Sequence, residues 1–190
     1  MILIVILCKE NLHVLEFVKP IEDVLRFNKM KYFTKHYTTL DDRDLQRAEK
    51  VIICGTSLRD FDYFNHINSF SWIKKFEGWI LGICAGMQVL ATEKIMGGEI
   101  WGSGKNIKER TEIGMTVANF SKEFLGIEKG SREIYSLHQV GVRKVRKYFE
   151  VYAVSNKGIQ AIKHKKKPFY GVLFHPEVRN KKMVVNFCNL

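Results

Sequence analysis

Short apolar runs alternate with amphipathic stretches from the first residue onward, and this alternation limits the fold more than any other feature of the sequence. Parallel strands buried on both faces need continuous apolar runs, and the crossovers between them need helices with one apolar face. Strands are expected over residues 2–7, 31–36, 51–54 and 79–83. Between the first two, residues 12–28 carry apolar side chains at helical spacing, with Pro20 expected to kink or restart the helix. A short helix fits residues 71–76, and a longer one fits 85–96 and stops at Gly97-Gly98. From Glu112 the periodicity changes to that of strands, at 114–118, 149–154, 158–162 and 169–174, before a closing helix over 181–188. The expected fold class is α/β, an open, mostly parallel sheet flanked by helices, with an additional small antiparallel β section in the second half. No linker, repeat or low-complexity segment divides the chain, and its length buries a core without staples, so residues 1–190 are expected to form a single domain.

Composition narrows the function classes. The opening MILIVILC has no basic stretch before it and no small-residue cleavage site after it, so it reads as a buried strand, not a signal peptide or membrane span. Cys8, Cys54, Cys84 and Cys188 are scattered without a CxxC pair, which points to neither zinc nor disulfides and to a reducing cytoplasm. No metal and no cofactor are expected. The net charge of +11 is concentrated in RKVRK (143–147), KHKKK (163–167) and RNKK (179–182). Aromatic residues are not interleaved with these runs as single-strand binders require, and no helix-turn-helix or RNA-binding signature is present. Nucleic acid and membrane are therefore not expected partners; a solvated face and a docking surface for a partner or anionic ligand both fit the charge. The fragment GSGKN (102–106) resembles part of a phosphate-binding loop, but Glu99 stands where that loop needs glycine and Asn106 where it needs Ser or Thr.

The residues with chemistry sit at predicted strand ends. In open parallel α/β sheets, reactive groups collect at the carboxyl ends of strands, where loops converge and helix N-termini point. In LGICAGMQVL (81–90) a strand feeds directly into a helix at Cys84, a sharp turn that holds a nucleophile outward. Gly82 and Gly86 remove side chains where such a turn must pack closely. The helix start offers a positive dipole end and free N–H groups, which favour a thiolate and an oxyanion. Far downstream, YGVLFHPEV (170–178) ends an apolar strand with His175 and Glu177, two residues apart and so on one side of an extended chain. Cysteine, imidazole and an orienting carboxylate are the parts of a thiolate mechanism. Taken singly, Cys84 also reads as a buried thiol and His175 as a structural histidine.

At these residues the sequence resembles the class I glutamine amidotransferases, whose nucleophile pattern G-[IV]-C-x-G-x-Q is matched by residues 82–88 and whose F-H-P-E pattern is matched by residues 174–177. The resemblance implies a flavodoxin-like three-layer fold and a triad in which Cys84 attacks the carboxamide carbon of glutamine, His175 shuttles protons and Glu177 orients the histidine. It implies no cofactor, and it gives Gln88 a part in holding substrate. The amide of Ala85, next after the nucleophile, is one expected oxyanion donor; the second is Gly55 or Thr56. There the chain departs from the S-G-G-P loop of GMP synthase glutaminases, carrying Cys54-Gly55-Thr56-Ser57, and Thr56 adopts positive φ less readily than glycine. The segment 158–180 is most similar to the end of the separate glutaminase subunit of archaeal GMP synthases. YSLHQVGV (135–142) offers Ser136 and His138 but not that subfamily's S-H-x-D element, and SLHQ is similar to the γ-glutamyl hydrolase branch. Ser136 and His138 are accordingly candidate substrate-binding residues, with a structural role for His138 equally open.

The resemblance implies a glutaminase that hydrolyses glutamine through a cysteinyl thioester and supplies ammonia to a separate ATP-dependent synthetase, with GMP synthase the candidate. A stand-alone γ-glutamyl hydrolase and a non-catalytic regulatory or binding protein on the same fold remain open alternatives.

Overall fold

The computed structural model describes residues 1–101, 111–145 and 148–190, so the GSGKN fragment and the last two residues of RKVRK lie outside the described residues. The chain begins β1 (Ile2–Ile6), α1 (Asn11–Phe17), α2 (Lys19–Phe27), β2 (Tyr32–His36), α3 (Asp42–Arg47), β3 (Lys50–Ile53), α4 (Asp62–Asn65), a 3₁₀ segment Ile67–Lys74, β4 (Trp79–Ile83), α5 (Ala85–Ala91) and α6 (Glu93–Met96). It continues with β5 (Glu99–Trp101), β6 (Glu112–Phe120), β7 (Gly130–His138), β8 (Gly141–Lys144), β9 (Phe149–Ser155), β10 (Gly158–His164), β11 (Phe169–Val172) and a closing helix α7 (Lys181–Asn189).

The strands form one sheet in the order β2-β1-β3-β4-β11-β10-β9-β6-β7, with β8 pairing β10 and β5. The pairs β1–β2, β1–β3, β3–β4 and β4–β11 are parallel, and those from β11 onward are antiparallel. The division follows the residue pattern. Leu3, Ile4, Val5, Val51, Ile52, Ile53, Ile80 and Leu81 are fully buried, as continuous apolar strands covered on both faces must be. One group of helices, α1 and α2 with α7, and another, α5 and α6 with the 3₁₀ segment, supply the covering layers. Among the described residues no helix is long and apolar enough to cross a membrane.

Several expectations shift in detail. The 12–28 stretch is two helices, because Pro20 takes one of the first positions of α2, where its missing N–H costs nothing. The 85–96 helix breaks at Thr92, which has extended backbone, and ends at Gly97 with φ +68°. The strand expected over 169–174 ends at Val172. α3 escapes the apolar pattern altogether, and a capping box between Asp41 and Asp44 defines it instead.

Candidate active site

Parallel register brings three chain segments to one edge. Ile53 pairs with Gly82 and Val172 with Ile83, so the carboxyl ends of β3, β4 and β11 deliver Gly55, Cys84 and His175 to adjacent positions. Cys84 takes φ +49° and ψ −106°, a conformation that costs a non-glycine residue about 1–3 kcal/mol and persists only where its surroundings enforce it. Its backbone N–H donates to the Val172 carbonyl (2.7 Å) and its carbonyl accepts from Gln88 N (3.1 Å), which holds the turn. The flanking glycines are required by close approach. A Cβ on Gly82 would stand 2.6 Å from the Gly86 carbonyl carbon, and one on Gly86 would stand 2.2 Å from the Ile53 carbonyl oxygen.

His175 faces Cys84 across Gly55. A Cβ added at Gly55 would lie 2.6 Å from His175 Cε1 and 3.3 Å from Cys84 Cβ, so the loop passes the two side chains with no room for any other residue. His175 Nδ1 bonds Glu177 Oε1 at 2.7 Å. The pair forms in a turn, closed by Val178 N donating to the His175 carbonyl at 3.2 Å, and not in the extended chain the two-residue spacing suggested. The backbone N–H of His175 donates to the Tyr135 carbonyl (2.8 Å), and the Phe17 ring lies 5.5 Å from the imidazole. His175 Nε2 is buried and makes no hydrogen bond, so it is the ring nitrogen that Glu177 leaves open. Burial opposes charge on this ring, but the Glu177 carboxylate and the Cys84 sulfur outweigh it and hold the His175 pKa well above the usual 6.5. Cys84 is 3% exposed, and its thiol points at the Leu137 carbonyl, 3.6 Å away.

The loop after β3 is braced. The Thr56 hydroxyl donates to Asp60 Oδ2 (2.7 Å), which also accepts from the Lys9 N–H (2.9 Å). Thr56 is not at positive φ, so the conformational penalty anticipated for it does not arise. Ala85 sits at the first position of α5, directly after Cys84.

The remaining candidates are buried. Gln88 accepts from the Tyr63 hydroxyl and donates to the Val140 carbonyl (2.8 Å), tying α4 and the β7–β8 turn to α5. The Ser136 hydroxyl bonds Thr116 Oγ1 (2.9 Å). His138 Nε2 lies 2.9 Å from Glu112 Oε2 without hydrogen-bond alignment, while Ser155 and Gln160 bond Glu112. Burial works against ionisation of Glu112, but His138, Ser155 and Gln160 prevail and lower its carboxyl below the ordinary range. Sequence reasoning missed Tyr63, Asp60, Glu112 and the Tyr135 and Leu137 carbonyls. Glu112 stands opposite His138 through the register of β6 and β7, a pairing that shows only in the folded chain.

A strained cysteine at a strand-to-helix turn, with an imidazole and its bonded carboxylate, stands at the carboxyl edge of the parallel strands of an α/β sheet. The family model of class-I glutamine amidotransferases matches residues 16–188, and the chain belongs to that family. The chain is 36% identical over 114 residues to a glutamine-hydrolyzing GMP synthase subunit of Methanobrevibacter smithii, covering 60% of this chain and 57% of that one. It is 35% identical over 117 residues to the glutamine-hydrolyzing GMP synthase of Francisella philomiragia, covering 57% of this chain and 21% of that one. The chain thus spans little more than half of the first relative and about a fifth of the second. A crystal structure of a candidate GMP synthase subunit from Thermoplasma acidophilum superposes with a TM-score of 0.81 at 20% identity, covering 100% of this chain and 93% of that one, a likeness of fold.

Proposed function

We propose that this protein is a glutaminase, acting as one domain in a reducing cytoplasm, that supplies ammonia to a separate ATP-dependent synthetase, with a GMP synthase the favoured acceptor. The observation that carries the reading is the convergence of Cys84, His175 and Glu177 around Gly55.

In this reading His175 takes the Cys84 proton and the thiolate adds to the carboxamide carbon of glutamine. The oxyanion that forms is held by the Ala85 N–H and by a second donor from residues 55–56. The histidine then protonates the leaving nitrogen and ammonia departs, leaving a glutamyl thioester. Water, deprotonated by the same ring, adds to the thioester, and glutamate leaves as the thiol is restored. Glu177 keeps Nδ1 protonated throughout, so Nε2 is the nitrogen that cycles. The choice of acceptor is supported by the two relatives, both of which carry the name GMP synthase. Gln88 and Ser136 fit a supporting part better than direct substrate contact, since their polar groups already have protein partners, and His138 is buried against Glu112.

The test is release of ammonia and glutamate from glutamine by the purified chain, alone and with the synthetase partner of a GMP synthase. Activity that Cys84→Ser abolishes supports the proposal. Higher partner-free turnover on γ-glutamyl amines than on glutamine would instead make the protein a stand-alone hydrolase.

A further inference from the structure

The second half of the sheet has a face that water alone does not explain. An antiparallel strand with one wet side places polar residues outward, yet the outward positions of β6 are Ile113, Met115 and Val117, which are 61%, 50% and 56% exposed. Opposite them in the ladder stand Leu137, Tyr135 and Glu133 of β7, and Val154 of β9, paired with Asn119, continues the same face at 44% exposure. Arg179 reaches Glu133 at 2.8 Å, which brings the turn carrying His175, Glu177 and the exposed Val178 to the border of the patch.

The strand under this face is also the one that touches the catalytic residues. The Leu137 carbonyl meets the Cys84 thiol, and the Tyr135 carbonyl accepts the His175 N–H. Just beyond the strand, the Val140 carbonyl accepts from Gln88. Anything seated on Tyr135 and Leu137 from outside therefore bears on the backbone that encloses the thiol, which is itself 3% exposed.

We infer that the outward face of the β6–β7 hairpin is the seat of the ammonia-accepting synthetase, and that docking there shifts β7 and opens the way to Cys84. This inference rests on the glutaminase reading. Ammonia made at Cys84 must pass to a second protein, and this apolar face adjoins Cys84 through a single strand. In the Francisella relative the matched region is 21% of a longer chain, so other segments are tied to it covalently there. The occupant is a protein with an apolar patch and an acidic border, because this chain carries +11 and steers opposite charge toward itself. A second copy is disfavoured on the same ground, since it would bring another +11 to the interface.

The double variant Met115→Glu, Val117→Glu tests this, with Phe27→Glu, an exposed site on α2, as the control. The measurements are titration calorimetry against the GMP synthase synthetase of the same organism, light scattering, and glutamine hydrolysis with and without that synthetase. The wild type and the control are expected to bind and to be stimulated. The double variant should lose about tenfold or more in affinity, with its stimulation, while its rate alone stays at the wild-type level. Equal binding and stimulation by the double variant overturn the inference. So does light scattering that shows a wild-type dimer lost in the variant, which would make the face a self-interface. A wild type that hydrolyses glutamine yet does not bind the synthetase overturns the docking claim and leaves the glutaminase reading standing. Absence of hydrolysis under every condition removes the reading and the inference together.

Discussion

Gly55 shows how little space the triad leaves to its neighbours. A single methyl group there would lie 2.6 Å from His175 Cε1, so Gly55→Ala must push the imidazole off its line to Cys84. Misplacing one reacting group by this much costs about 10²-fold in rate, and the crowding should also cost about 1–3 kcal/mol of stability. Steady-state glutaminase assays and urea denaturation check both. Glu177 is predicted to act through charge as well as position. Its carboxylate helps hold His175 protonated against burial, so Glu177→Gln should move the imidazole pKa downward, and NMR titration of the ring reads that shift directly. Because the folded pKa is raised, this protonation stabilises the fold fully below pH 6.5 and stops doing so as pH climbs through the raised value. Cys84, His175 and Glu177 were legible as candidates because each stands in a short motif at a strand end. Their bracing was not, since Tyr63, Asp60 and the Tyr135 carbonyl act through contacts that no local pattern encodes.

Elements differ in how much of them the local sequence dictates. β1, β3 and β4 are continuous apolar runs, and their structure follows the pattern to within a residue. β5, β7 and β8 went unrecognised individually because their sequences, such as GSREIYSLH, mix charge and polarity on strands that are only partly covered. α3 is fixed by its ends: the Asp41 side chain accepts from the Asp44 N–H at 2.9 Å, and Asp41→Ala should cost about 1 kcal/mol with no change in activity. A loss of activity larger than the loss of stability would contradict that separation. Tyr63→Phe makes the opposite case. It strips the Gln88 carbonyl oxygen of its buried partner, and the expected loss of about 1–3 kcal/mol should come with slower glutamine hydrolysis, because Gln88 lies on the helix that begins beside the nucleophile. Thermal melts and rate measurements on the same preparation separate the two effects.

At the scale of the whole molecule, the parallel half of the sheet presents the chemistry and the antiparallel half encloses it. The class of fold was readable because periodicity reports burial, and burial on both faces is what a parallel sheet with flanking helices demands. The meeting of residues 55, 84 and 175 was readable only as an inference from strand ends, since sequence order says nothing about which strands become neighbours. Four free cysteines make the central claim directly measurable. Burial, with Cys8 beside it, lifts the Cys54 thiol well above its usual range, and burial lifts Cys188 to about 12, so neither competes as a nucleophile near neutral pH. The decisive experiment is peptide mapping by mass spectrometry after exposure of the intact protein to an electrophilic diazoketone analogue of glutamine. Adduct confined to Cys84, blocked by glutamine and lost in His175→Ala, is the predicted result; no adduct at Cys84, or labelling of the other cysteines that glutamine leaves unchanged, would contradict it.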